Sequence, residues 1–128
     1  MIYKSFLIEN DLSLIKENIV LFYGENLGLQ DDLKQMIKKE NRKASFLNFE
    51  QDEILKNEET FYSEILNISL FNENKIFFLN NSNDKILEKI KKIEEKLNDQ
   101  KIFVFSNIFI PMLEYIAKLS IFPLVDAE

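Results

Sequence analysis

The chain contains no cysteine and no histidine. The first absence excludes a disulfide framework and thiol chemistry. The second removes the commonest general base, the usual triad member and the most versatile metal ligand. Catalysis, if any, would fall to carboxylates, lysine and tyrosine. Long apolar runs are missing as well, and none approaches the roughly 20 residues that span a bilayer. Glu9 and Asp11 interrupt the N-terminal stretch MIYKSFLIENDL where a signal peptide would be apolar. This predicts a cytoplasmic protein with no export signal and no membrane contact. Glycine occurs only at Gly24 and Gly28, and arginine only at Arg42. Scarce arginine beside abundant Ile, Asn, Lys and Phe marks a coding sequence rich in A and T, and carries no information about activity.

What is present is ample for one folded domain. The 128 residues are 46% hydrophobic and 30% charged, a globular composition. The net charge of −6 disfavours nucleic-acid binding by the domain itself, because phosphate contacts depend on lysine and arginine. DNA would be met only indirectly, through an assembly.

Five short apolar segments recur, at Ile19 to Tyr23, Ala44 to Phe49, Lys75 to Leu79, Lys101 to Phe105 and Ile121 to Val125. Three of them, IVLFY, KIFFL and KIFVF, are apolar at nearly every position, the pattern of parallel strands covered on both faces. Helical spacing lies between them: Leu29, Leu33, Met36 and Ile37; then Phe61, Ile65 and Ile68; then Ile86, Leu87, Ile90, Ile93 and Leu97. Asn83 or Asp84 could cap the third of these helices. A last helix opens near Pro111, with Met112, Leu113, Ile116 and Leu119 on one face. The alternation predicts a three-layer α/β domain, a parallel sheet of about five strands with helices on both faces. The first eighteen residues fit either an edge strand or an arm, followed by a short turn of helix.

Four places could carry chemistry. The stretch LFYGENLGLQDD has the strand–turn–helix layout of a phosphate loop, which wants glycine, four residues, then Gly-Lys-Ser/Thr. Counted from Gly24, those last three positions hold Leu29, Gln30 and Asp31. The lysine is absent and an acid replaces the magnesium-binding hydroxyl. Gly24 and Gly28 therefore read as a tight connection, and Asp31 and Asp32 as carboxylates favoured by a helix start. A receiver-type acidic pocket does not fit, since Leu79-Asn80-Asn81 offers no aspartate and no lysine follows Asp126. Glu50, Asp52 and Glu53 past the second strand could ligate a hard cation but read better as a solvated loop. The fourth place is Asn67 to Lys75, where Ile68, Leu70 and Phe71 occupy a connection that should be polar. They are either core packing or an exposed plug for a partner's groove.

Taken in succession, LFYGENLGLQDDLKQMI, NFEQDEI, SEILNISLFNENKIFFLNN and KIFVFSN resemble the N-terminal domain of the delta subunit of bacterial DNA polymerase III, the clamp loader. The resemblance covers residues 19 to about 107 in order and spacing. It implies an AAA+-like, P-loop-like domain that has lost its nucleotide site, with no catalytic residue, metal or cofactor of its own. The expected partners are the sliding clamp (the beta subunit) and, in a full-length protein, the other clamp-loader subunits that hydrolyse ATP. The clamp contact implied is Ile68, Ser69, Leu70 and Phe71, with Leu70 and Phe71 entering a hydrophobic pocket. Residues 1–128 then form a single clamp-binding domain, without the family's lid and collar domains. The segment NIFIPMLEYIAKLSIF departs from the charged helix usual there. The rival readings are another non-catalytic interaction module that exposes the 110–119 helix, and a small nucleotide-binding phosphotransferase built on the Gly24 turn.

Overall fold

The computed structural model describes residues 2–4, 18–24, 27–67, 74–83, 85–97, 100–106 and 124–126. Six strands, β1 (Ile2–Lys4), β2 (Ile19–Tyr23), β3 (Ser45–Glu50), β4 (Lys75–Ser82), β5 (Lys101–Ser106) and β6 (Leu124–Asp126), form one sheet. The helices are α1 (Leu27–Glu40), α2 (Gln51–Lys56), α3 (Glu58–Leu66) and α4 (Lys85–Ile93), the last running into a 3-10 turn at Glu94–Lys96. Neighbouring strands are parallel throughout, in the order β1-β6-β2-β5-β4-β3.

The α/β class with helices on both faces is as the sequence pattern requires. The strands are less even than expected. Strands β2 to β5 form the body, while β1 and β6 are three residues each and extend one edge. Of the segment expected at 121–125, the described part belongs to Leu124–Asp126, which pairs with Leu21–Tyr23 on one side and Ile2–Lys4 on the other. Of the two readings of the N-terminus, Ile2–Lys4 takes the edge strand. Three residues are too few for periodicity to announce such a strand.

Alternation along the strands sorts the core. Val20, Phe22, Ile76, Phe78, Phe103 and Phe105 face α1, which contributes Leu33 and Ile37. The intervening residues, among them Leu21, Phe77, Leu79, Ile102 and Val104, face α2, α3 and α4. The α1 side is aromatic: Phe22 stacks on Phe105 at 4.8 Å, and Phe78 meets Phe105 edge-on at 5.7 Å. Each such ring contributes about 1.5–3 kcal/mol by burial. Lys34 reaches from α1 over the Phe105 ring at 4.6 Å, so its stem covers apolar surface, and burial lowers its pKa.

Three readings of local structure need correction. Helix α1 begins at Leu27, so Asp31 and Asp32 stand in its second turn and the first turn holds no acid. The dipole acts mainly within the first turn, so it does not account for them. Gly28 lies inside α1 and does not flank the turn. The acidic run after β3 is a helix and not a loop: α2 buries Gln51 and Ile54, and Asp52, Glu53 and Lys56 stay exposed. Asn57 then separates α2 from α3 and caps the latter, its side chain accepting the Thr60 N–H. The expected helix near Pro111 lies outside the described residues.

Candidate functional site

In open parallel sheets, ligands bind beyond the carboxyl ends of the strands, where the direction of connection reverses. Here that point lies between β2 and β5. From β2 the chain crosses to β3 at the far edge, whereas from β5 it crosses back past β2 to β6. Gly24 sits at this crevice, directly after β2. Its φ of 129° belongs to a region that a side chain disfavours, which explains the glycine. Its N–H donates to the Ser106 carbonyl across the crevice at 3.1 Å.

Gln30 closes the same crevice. It projects from the buried face of α1 that also carries Leu33 and Ile37 and is only 6% exposed. Its Nε2 donates to the Gly24 and Ser106 carbonyls, each at 3.1 Å. The side chain in the phosphate-loop lysine position therefore ties the end of β2 to the end of β5. Both of its donors meet main-chain oxygen, and neither is turned to an incoming phosphate. Asp31, in the hydroxyl position, is exposed.

The stitching continues along the carboxyl edge. Ser106 Oγ donates to the Ser82 carbonyl at 2.6 Å, and Ser82 Oγ donates to the Leu79 carbonyl at 3.3 Å. Between Leu79 and Ser82 the ladder shifts register, and Asn81 adopts a φ of 51°, a conformation asparagine tolerates. Asn80 Nδ2 donates to Asn48 Oδ1 at 3.3 Å, and Asn81 Nδ2 to Glu50 Oε2 at 2.6 Å. Gln51 and Asn83 exchange hydrogen bonds at 2.9 and 2.7 Å, and Asn83 Oδ1 accepts the Lys85 N–H, so Asn83 caps α4. A phosphoryl-transfer site needs carboxylate at such a strand end to hold magnesium. The end of β4 offers the neutral amides of Asn80 and Asn81. Among the described residues, no three His, Cys, Asp or Glu are grouped to hold a metal ion.

The strand order also separates this sheet from the receiver type. With β1 set aside, the remaining strands taken in chain order lie 5-1-4-3-2, against 2-1-3-4-5 for flavodoxin-like sheets.

The residues of the expected clamp contact, Ile68, Ser69, Leu70 and Phe71, lie outside the described residues. The elements on either side are well anchored. Phe61 and Ile65 of α3 are buried against the sheet. The buried Gln100 amide donates to the Ile65 carbonyl at 2.9 Å, which satisfies one of the orphan acceptors at the helix end. Tyr62 packs beside them, and burial raises its phenol pKa.

The sequence places Gly24, Gln30 and Asp31 in a layout like a phosphate loop but does not announce what Gln30 does. The signal was a polar residue at i, i+3, i+7 spacing with Leu33 and Ile37, which put an amide on a buried helix face. The parts played by Ser82 and Ser106 carried no signal, because they follow from which strands become neighbours. No protein-family model matches the chain, and no curated protein matches it.

Proposed function

We propose that this chain is a non-catalytic, AAA+-like domain of the clamp-loader delta type, which binds the DNA sliding clamp in the cytoplasm and helps to open it. The observation that carries the reading is Gln30: a phosphate-loop layout whose lysine position is turned inward to staple β2 to β5. This is the expected outcome when a nucleotide fold is kept for its shape while other subunits hydrolyse ATP. The anchoring of α3 supports the mechanism. A helix fixed by Phe61, Ile65 and the Gln100 amide is a stiff lever that ends at Leu66, two residues before Ile68. Leu70 and Phe71 would enter an apolar pocket on the clamp, with Ile68 beside them. Ring opening then requires tighter binding to the open interface than to the closed one.

The test is capture of the chain by purified, immobilised sliding clamp. Leu70→Ala combined with Phe71→Ala is expected to abolish capture while leaving the thermal transition in place. Loss of the folded state in that variant would make the turn core and end the proposal. Tight, magnesium-dependent ATP binding by calorimetry would favour the phosphotransferase instead.

A further inference from the structure

The two edges of the sheet differ. At one stands β1, three residues long and ending in Lys4. At the other stands β3, six residues long, and among the described residues no strand pairs with its outer side. Edge strands are ordinarily guarded against pairing with another chain by shortness, proline, a bulge or a lysine within the strand. From Ser45 to Phe49 the β3 edge has no charge, proline or glycine, and its ladder with β4 runs without a register shift. It is also the least sheltered strand of the sheet body: β2 is buried at every position, whereas β3 is fully buried at none.

The ladder fixes which main-chain groups this edge presents. The Ser45 N–H donates to the Asn74 carbonyl at 2.9 Å, so Ser45, Leu47 and Phe49 turn their main-chain groups to β4. Phe46, Asn48 and Glu50 turn theirs outward. The flanks of the strand are opposite in charge. Arg42 and Lys43 precede it, and Asp52 and Glu53 follow it in the first turn of α2, all four exposed. The dipole of α2 accounts for its two acids locally. It does not account for an unguarded apolar edge set between a basic end and an acidic one.

We propose that two copies of this chain associate by antiparallel pairing of their β3 strands, across a twofold axis at Asn48. Antiparallel hydrogen bonding needs outward-facing residues opposite one another. The register centred on Asn48 meets this and uses all three: Asn48 faces Asn48 of the second copy, and Phe46 faces Glu50. Leu47 then stands opposite Phe49 on the sheet face that carries α2 and α3, an apolar cross-strand pair on each side of the axis. Beyond the strand ends, the same register brings Arg42 and Lys43 of one copy toward Asp52 and Glu53 of the other. A parallel pairing would set the basic ends together and the acidic ends together. Charge therefore selects the antiparallel form, which is isologous, uses up the edge and stops at two copies. A strand of another protein could satisfy the main-chain groups equally well. A second copy is favoured because one short stretch carries both members of each match. The inference rests on β3 and its flanks and is independent of the clamp reading.

The experiment is sedimentation equilibrium of the full chain at low salt, from about 1 μM to about 1 mM. A contact confined to one strand edge is small, so the expected dissociation constant is on the order of 10–100 μM. The mass approaches twice the 15.2 kDa of one chain at the top of the range. Asn48→Lys sets two ammonium groups together at the axis and is expected to raise the dissociation constant about tenfold or more. Lys43→Glu and Glu53→Lys, both at exposed positions, are each expected to weaken association about threefold or more. The double variant exchanges the two charges and is expected to return to within about twofold of the parent. Should Asn48→Lys melt early, Asn48→Cys gives a second reading, since the chain has no other cysteine. Partners facing across the axis stand about 5.5 Å apart, within disulfide reach. Oxidised glutathione is expected to link Asn48→Cys into a dimer about tenfold faster or more than Lys91→Cys, exposed on α4. A chain that stays monomeric over the whole range overturns the proposal and leaves the edge to a strand of another protein. A dimer indifferent to Asn48→Lys also overturns it, as does a double charge exchange that fails to restore association.

Discussion

Replacing Gln30 by methionine keeps the length and apolar reach of the side chain and removes its two hydrogen bonds. Each neutral bond contributes about 0.5–1.5 kcal/mol net. The Ser106 carbonyl keeps the Gly24 N–H, whereas the Gly24 carbonyl loses its Gln30 donor at a buried position. Methionine regains part of this by burying apolar surface. The expected loss is about 2 kcal/mol, a sizeable share of the roughly 5–15 kcal/mol that holds a domain folded. In a chain of this size that lowers the thermal midpoint by about 5–10 °C. Gln30→Glu is the sharper variant. At neutral pH it sets a carboxylate against two carbonyl oxygens, so it is expected to cost more than methionine. Burial and the facing oxygens raise the pKa of the introduced acid, and its protonated form can donate to one carbonyl. The Glu variant therefore regains stability relative to the methionine variant as pH falls. Urea unfolding followed by circular dichroism, at neutral and mildly acidic pH, measures both. Two results would refute the reasoning: a methionine variant within about 0.5 kcal/mol of the parent, or a Glu variant no less stable than methionine at neutral pH.

Gly24→Ala is expected to destabilise the fold by about 1–3 kcal/mol, because alanine resists a φ of 129°; an unchanged urea midpoint would show that the turn relaxes freely. The Glu58–Lys89 ion pair links α3 to α4 and gives a pH signature. A hydrogen bond from Lys89 lowers the Glu58 pKa, and the same bond raises that of Lys89. The stabilisation is thus fully present between the ordinary carboxylate and lysine ranges. It disappears as pH falls through the lowered Glu58 pKa, and again as pH rises through the raised Lys89 pKa. The stability difference between the parent and Glu58→Gln is expected to be small, salt-sensitive and confined to that window, which a pH series of urea midpoints would read.

Legibility in the sequence follows the range of the interactions. The strands IVLFY, KIFFL and KIFVF are plain because a buried parallel strand is apolar at each position. Helix α1 is plain because Leu33 and Ile37 repeat at its own period. Helix α2 was hidden, since six residues with Asp52 and Glu53 among them resemble a polar loop until Ile54 and Gln51 are seen to be buried. The Gly24 turn could be located, and its missing lysine counted, from local spacing alone. That Gln30 reaches Ser106 could not be read, because the two are far apart in the chain and meet only when β2 and β5 become neighbours.

The pairing of β2 has a consequence for how the chain is made. Its partners are β5, where Tyr23 stands opposite Ser106, and β6, where it stands opposite Asp126. The first apolar strand of the sheet body to leave the ribosome must wait for about 80 further residues before either neighbour exists, about 4–16 s at ordinary synthesis rates. During that interval IVLFY is a flat, uncharged, β-prone segment without a sheet, the kind of stretch that self-associates. The central place that makes β2 the most sheltered strand of the finished domain also makes it the most vulnerable while the chain is being synthesised.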